Sequence, residues 1–97
     1  MSHDRQGAGA PNFTPGPWEA TQDGHLGLFV CSRDNHDNQI CEVSTHNGAD
    51  AHMIAAAPDL YEALEAMRAE FRAADLPYGS KAYLQSGEAL AKARGEA

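Results

Sequence analysis

The chain has 97 residues, with 7 Lys or Arg and 14 Asp or Glu, so its formal charge is −7. A chain of this length forms one small domain, and its negative charge argues against a nucleic-acid binder that works through a basic surface. No apolar run approaches the roughly 20 residues that span a membrane. The N-terminus is too polar for a signal peptide, so we expect a cytoplasmic protein.

The N-terminal part of the sequence divides into a tail and a rigid turn. Residues 1–12 are rich in Gly, Ala and polar residues, which predicts a disordered tail before a single domain over residues 13–97. In the turn Thr14-Pro-Gly-Pro-Trp18, two prolines fix the backbone and the glycine permits a change of direction. We expect Trp18 to pack into the core, with its indole N–H donating to one acceptor.

Alternating apolar residues predict three strands that form an antiparallel meander. The strands cover residues 18–21, 26–31 and 39–45, and a polar turn covers residues 32–38. The even-numbered residues of the second strand share one face, and Cys41 and Val43 share a face of the third. The short connections are typical of hairpins.

Two signals predict a kinked helix after the sheet. Asn47 can cap a helix N-terminus, and Pro58 interrupts the helix by removing a backbone donor, after which a new helix begins. Apolar residues then recur at spacings of four and three, which predicts one buried stripe on a helix that ends near residue 74. The stripe consists of Leu60, Leu64, Met67, Phe71 and Ala74.

The last helix is predicted from its caps, Ser80 at its start and Gly95 after its end. Its inward residues are expected to be Tyr83, Leu84, Leu90 and Ala91. We therefore predict an α+β domain: a small antiparallel three-stranded sheet, then a kinked helix and a C-terminal helix that form a helical hairpin packed on the sheet. Because this core is thin, a homodimer that buries the remaining apolar surface is a further expectation.

Cysteine and histidine recur at intervals of five, as Cys31, His36, Cys41 and His46. Two Cys and two His can bind zinc, but the close pair that usually marks such a site is absent. A hairpin centred near His36 also allows a Cys31–Cys41 disulfide, which the cytoplasm should keep reduced. We expect small buried thiols instead, with no metal and no cofactor.

Nothing in the sequence predicts an enzyme. It contains no Gly-rich phosphate loop, nucleophile elbow or H-E-x-x-H motif. Glu62 and Glu65 are spaced as a carboxylate pair, but they lie on the polar side of their predicted helix, where solvated charges are expected.

The negative charge is concentrated in residues 34–67, which contain three histidines and no Lys or Arg. This window is either solvated surface that keeps the protein soluble or an anionic face for a basic partner. Its acids are the candidate partner-binding residues Asp34, Asp37, Glu42, Asp50, Asp59, Glu62 and Glu65. An anionic ligand would prefer the basic residues that follow, which are Arg68, Arg72, Lys81, Lys92 and Arg94.

Two segments together resemble a family of small phage and prophage proteins with the motifs T-P-G-P-W and I-A-A-A-P-D-L-x-E-A-L. They are Thr14-Pro-Gly-Pro-Trp18 and residues 50–64, which read D-A-H-M-I-A-A-A-P-D-L-Y-E-A-L. Residues 89–96 are also similar to endings in that group, so the resemblance covers residues 13–96. This chain departs from the family pattern at His52 and Tyr61.

The resemblance implies a phage or prophage gene product that acts in the bacterial cytoplasm, and it brings no catalytic residues. By analogy with other small acidic phage proteins, we expect a non-enzymatic inhibitor of a host defence system, such as an anti-CRISPR protein. Its acidic window would face a basic defence or nucleic-acid-handling protein, without direct contact to nucleic acid or membrane. The alternatives are a small-ligand binder, such as a nucleotide-signal sponge at an oligomer interface, and a structural or assembly protein.

Overall fold

A computed structural model defines the positions of residues 12–22, 24, 27–77 and 79–96. Three strands come first: β1 (Trp18–Gln22), β2 (Leu28–Ser32) and β3 (Gln39–Glu42). Three helices follow: α1 (Gly48–Ala55), α2 (Ala57–Ala73) and α3 (Lys81–Ala93). The predicted tail, apart from its last residue, and the first residue of the predicted second strand lie outside the described residues. None of the helices in the described part is both long and apolar enough to cross a membrane.

The sheet is antiparallel with strand order β1-β2-β3, which confirms the predicted α+β class and its three-stranded meander. Pairing between β1 and β2 is continuous, from Trp18 opposite Ser32 to Gln22 opposite Leu28. Because successive side chains of a strand point to opposite faces, this register places Trp18 and Leu28 on the same face of the sheet.

A bulge interrupts the pairing between β2 and β3. Val30 lies opposite Cys41, but the next residue, Cys31, lies opposite Gln39, so β3 contains one extra residue, Ile40. The bulge lets both Ile40 and Cys41 pack against the core. β3 ends three residues earlier than predicted, because the chain turns at residues 44 and 45.

The core lies between one face of the sheet and α1, with Val30, Val43 and Ala51 buried. Partly buried residues pack around them: Trp18, Ala20, Leu28, Ile40, Cys41, Ile54 and Ala55. Trp18 is a core residue as predicted, and its indole N–H donates to the Thr14 carbonyl at 3.1 Å. The predicted hairpin forms from α2 and α3, but these helices pack mainly on each other, and α1 is the helix that covers the sheet.

The predicted start and break of the kinked helix are confirmed. Asn47 caps α1, and its side chain accepts a hydrogen bond from the Ala49 N–H at 2.8 Å. The helix breaks at Ala56, and Pro58 lies in the first turn of α2, where its missing N–H costs no intrahelical hydrogen bond.

The buried face of α2 differs from the predicted apolar stripe. Leu60 and Met67 are 54% and 68% exposed, so the prediction that they face the core is wrong. Tyr61 is buried instead, and Arg68 is half-buried. Residues of an α-helix follow one another at about 100°. Packing against α3 through the side that carries Tyr61 and Arg68 therefore leaves Leu60 and Met67 on a flank that faces solvent. Of the other residues in the predicted stripe, Leu64 and Phe71 are half-buried and Ala74 is exposed.

The inward face of α3 is also narrower than predicted. Tyr83, Leu90 and Ala91 are buried or half-buried, whereas Leu84 is 56% exposed, so its predicted inward position is wrong. The Tyr83 ring stacks on Phe71 of α2 with ring centroids 4.7 Å apart. This contact fixes the rotation of α3 and places Leu84, about 100° further round, outside the helix pair.

Both ends of α3 have the predicted caps. The Ser80 side chain accepts a hydrogen bond from the Tyr83 N–H at 3.3 Å. Gly95 has a φ of 81°, which lets the Glu96 N–H donate back to the Ala91 carbonyl at 2.9 Å. The polypeptide therefore leaves the helix through a left-handed backbone conformation, which glycine adopts without strain.

Cys31 and Cys41 are free thiols that point to opposite faces of the sheet. Cys41 packs toward α1, whereas Cys31 is buried on the other face, with its Sγ 3.9 Å from the Thr21 hydroxyl oxygen. The disulfide that a hairpin would permit does not form. Within the described ranges, no group of three or more His, Cys, Asp or Glu side chains is arranged to hold a metal ion.

Candidate functional site

An apolar groove of about 510 Å³ lies where the N-terminal turn, α1, α2 and α3 meet. Its lining residues are Phe13, Trp18, Met53, Ile54, Ala57, Pro58, Leu60, Tyr61, Leu64, Ala89, Leu90 and Ala93. All of these residues except Phe13 belong to the three segments that carry the family resemblance. Segments far apart in the sequence therefore converge on one feature, which we call the apolar groove.

Close contacts hold the N-terminal turn against the start of α2. A Cβ atom on Gly16 would lie 2.8 Å from the Cβ of Pro58, so only glycine permits this approach. Phe13 packs edge-on against Trp18 and Tyr61, with ring centroids 6.2 and 5.1 Å apart. The aromatic contacts connect the sheet side of the molecule to the helix pair and form one wall of the apolar groove.

A second depression of about 320 Å³, which we call the acidic recess, adjoins the apolar groove. Glu42 and Asp50 line it, and it shares Met53 and Ile54 with the apolar groove. Met53 is 66% exposed, so apolar surface continues from one depression to the other. The Thr45 hydroxyl donates to Asp50 at 2.7 Å and holds that carboxylate at the edge of the recess.

The other five candidate acids lie elsewhere. Asp34 and Asp37 are exposed in the turn between β2 and β3. Asp59 and Glu62 are exposed on the side of α2 away from the apolar groove, as the helical repeat requires. Glu65 is half-buried between α2 and α3. The structure thus brings Glu42 and Asp50 together and distributes the remaining acids over separate surfaces.

None of the seven candidate acids forms an ion pair with any residue that the structure describes. The ion pairs of Arg residues found there use other carboxylates: Glu19 pairs with Arg33 at 3.7 Å, and Glu96 pairs with Arg94 at 3.1 Å. Glu19 also forms a hydrogen bond with the His36 ring. Six of these acids therefore have no paired counter-charge in the described part of the chain, whereas Glu65 shares a cleft with three arginines.

A third depression, of about 210 Å³, lies between α2 and α3, and we call it the arginine cleft. Its charged lining residues are Glu65, Arg68, Arg72 and Arg94. The Arg68 Nη1 donates to the Tyr83 carbonyl at 2.5 Å and to the Ser86 hydroxyl at 2.7 Å. Its guanidinium carbon lies 3.9 Å from the centroid of the Tyr83 ring, within cation–π distance.

Arg94 reaches the same cleft from the end of α3. A hydrogen bond to Glu96, and a second one to the Tyr61 hydroxyl at 3.2 Å, raise the pKa of Arg94 above its already high ordinary value. Arg94 is therefore positively charged at every physiological pH.

The acids can be read from the sequence, but no sequence pattern predicts the three depressions. The 4-3 spacing assigned Leu60 to the core, and no local pattern marks Phe13 or Met53, because the groove forms only when distant segments meet. One usable signal was Gly87, since a glycine inside a helix often marks a close approach. The structure confirms such an approach: a Cβ on Gly87 would lie 3.1 Å from the Arg68 Nη1.

The geometry defines a small α+β protein with one apolar depression and two depressions that charged residues line. The family model described as Salmonella phage P22 protein Y8K6 matches residues 1–97. The chain belongs to this family, which confirms the expectation of a phage protein family. No curated protein and no solved structure matched the chain.

Proposed function

We propose that this phage protein is a non-enzymatic binding protein that inhibits a host defence system, as an anti-CRISPR protein does. It would dock on a basic protein partner through the acidic recess and the apolar groove. The observation that supports this most directly is their continuity, because Met53 and Ile54 line both depressions. An apolar centre beside a charged rim is the usual anatomy of a protein–protein interface.

Charge supports a basic partner. Glu42 and Asp50 line the recess without an ion-pair partner among the described residues. Lys or Arg side chains of the partner would supply the missing counter-charge. The exposed acids outside the recess, such as Asp34 and Asp59, would act at longer range by steering the partner during approach, an effect that salt weakens.

Exposed apolar side chains in the apolar groove would supply the hydrophobic contacts with the partner. Met53 and Leu60 both line the apolar groove and both are more than half exposed. Methionine is flexible and polarizable, so it adapts to the shape of a partner side chain. A volume of about 510 Å³ is within the range of pockets that enclose a bound group. Large apolar side chains of the partner would therefore enter the apolar groove. Neighbouring Lys or Arg side chains of the partner would pair with the carboxylates of the acidic recess.

The test is a plaque assay in bacteria that carry an active CRISPR–Cas system targeting the challenging phage. Expression of the wild-type chain should restore plaques that the empty vector does not restore. A matched host without the system controls for general effects of the chain on phage growth. Equal plaque numbers with and without the chain, in hosts representing each available CRISPR–Cas type, would contradict the proposed inhibition.

A further inference from the structure

The arginine cleft concentrates positive charge in an acidic protein. It is lined by three of the 7 Lys and Arg residues of a chain whose net charge is −7. Glu65 is the single carboxylate that lines the cleft among the described residues. Like charges at one site repel each other, so this arrangement is favoured when an anion can occupy the cleft.

Arg68 is held in place by neutral groups. Both acceptors of its Nη1, the Tyr83 carbonyl and the Ser86 hydroxyl, carry no charge. Arg68 forms no ion pair with a described residue. Its Nε and Nη2 hydrogens have no acceptor in the described part of the chain. These two nitrogens form the edge of the guanidinium that binds the oxygens of an anion in bidentate fashion.

The position of the Arg68 guanidinium against α3 requires a glycine at position 87. A Cβ at this position would lie 3.1 to 3.3 Å from three atoms of the Arg68 guanidinium, which is tighter than ordinary contact. A glycine in a helix interior costs about 1 kcal/mol relative to alanine. Its presence in α3 therefore has a local reason, which is to admit the guanidinium of Arg68 against the helix backbone.

We infer that the arginine cleft binds the phosphate group of a small phosphorylated molecule. Arg68 would present the bidentate edge, and Arg72 and Arg94 also line the cleft, where the ion pair with Glu96 offsets part of the charge of Arg94. A phosphate offers several acceptor oxygens and up to two negative charges, which suits several guanidinium groups at one site. The cleft volume of about 210 Å³ suits a phosphate with part of the attached group. The cleft meets the apolar groove at Leu90 and shares no lining residue with the acidic recess.

Isothermal titration calorimetry of the full chain tests the inference with three probes: inorganic phosphate, adenosine monophosphate and a cyclic dinucleotide. Saturable binding of at least one probe is expected. If only the nucleotides bind, the attached group contributes; if all three bind, the phosphate alone is sufficient. Arg68→Lys keeps the charge but removes the bidentate edge. It should weaken binding roughly tenfold or more, the effect of losing a charge-assisted hydrogen bond.

A second variant separates binding from folding, because Arg68 also connects α2 to α3. Gly87→Ala leaves every charge in place and pushes the Arg68 guanidinium aside, so it should weaken the same probe while circular dichroism shows an intact helix content. Lys81→Gln and Lys92→Gln remove positive charge elsewhere on α3 and should leave the affinity within about twofold. Absence of saturable binding by all three probes would overturn the inference. So would equal weakening by the lysine variants, because binding would then depend on overall charge alone.

Discussion

Gly16→Ala tests how the N-terminal turn is joined to the helices. The new Cβ would lie 2.8 Å from the Cβ and 3.2 Å from the Cγ of Pro58. A proline ring has no flexible end that could move away, so the turn must shift from α2. Overpacking of this kind typically costs about 1–3 kcal/mol. For a domain of this size, each kcal/mol lowers Tm by about 4–8 °C.

Thermal unfolding followed by circular dichroism measures the effect. Gly48→Ala is the matched control, because a Cβ at Gly48 meets nothing within 4 Å and the residue begins α1, where alanine is well tolerated. The expected result is a lower Tm for Gly16→Ala alone. Equal Tm values for the two variants would refute the tight contact between the turn and Pro58.

Three further predictions concern stability, and urea denaturation measures each. Asp75 follows the C-cap residue of α2 and has a φ of 58°, so Asp75→Gly should stabilise the protein by up to about 1 kcal/mol, and a lower midpoint would contradict the left-handed conformation there. Asn47→Ala should cost about 1 kcal/mol through loss of the α1 cap, and an unchanged midpoint would show that the cap contributes nothing. Met67→Gln should change stability by less than about 0.5 kcal/mol, whereas Tyr61→Ala should cost about 3 kcal/mol or more. Similar losses of unfolding free energy for Met67→Gln and Tyr61→Ala would show that α2 does not bury the face that carries Tyr61.

Local signals predicted the ends of the helices well. A cap acts through hydrogen bonds to residues two or three positions away, so Asn47 and Ser80 could be recognised without knowledge of the fold. Pro58 acted in the same local way. The strand order also followed from short connections, since adjacent strands joined by brief turns pair as hairpins.

The rotation of the helices could not be predicted in this way. Hydrophobic spacing assigned Leu60 and Met67 to the core because it treats apolar residues as the buried ones. In the structure, half-buried Arg68 lies between α2 and α3, where its guanidinium donates to neutral acceptors. This contact depends on Gly87 and Tyr83 of another helix. Leu60 and Met67 do not take part in this contact and are exposed on the surface instead.

Counting charged residues along the sequence was enough to find the acidic window, residues 34–67. How its acids are distributed over the surface depends on the fold. Glu42 and Asp50 are eight positions apart and meet because the turn after β3 leads directly into α1. Glu62 and Glu65 are neighbours on one helix and nevertheless face different surroundings, because Glu65 turns toward the arginine cleft. Charge along the sequence therefore indicated a segment, and in the structure two carboxylates of that segment line one recess.

The most direct test of the proposed partner surface compares two doubly neutralised variants in the CRISPR plaque assay. Glu42→Gln with Asp50→Asn removes both carboxylates of the acidic recess while an amide oxygen can still accept from Thr45. Glu70→Gln with Glu88→Gln removes the same charge from exposed helix positions outside the recess. With equal expression and Tm, the recess variant should lose the restored plaques and the control should keep them. Equal activity of the two variants would contradict the acidic recess as the partner contact.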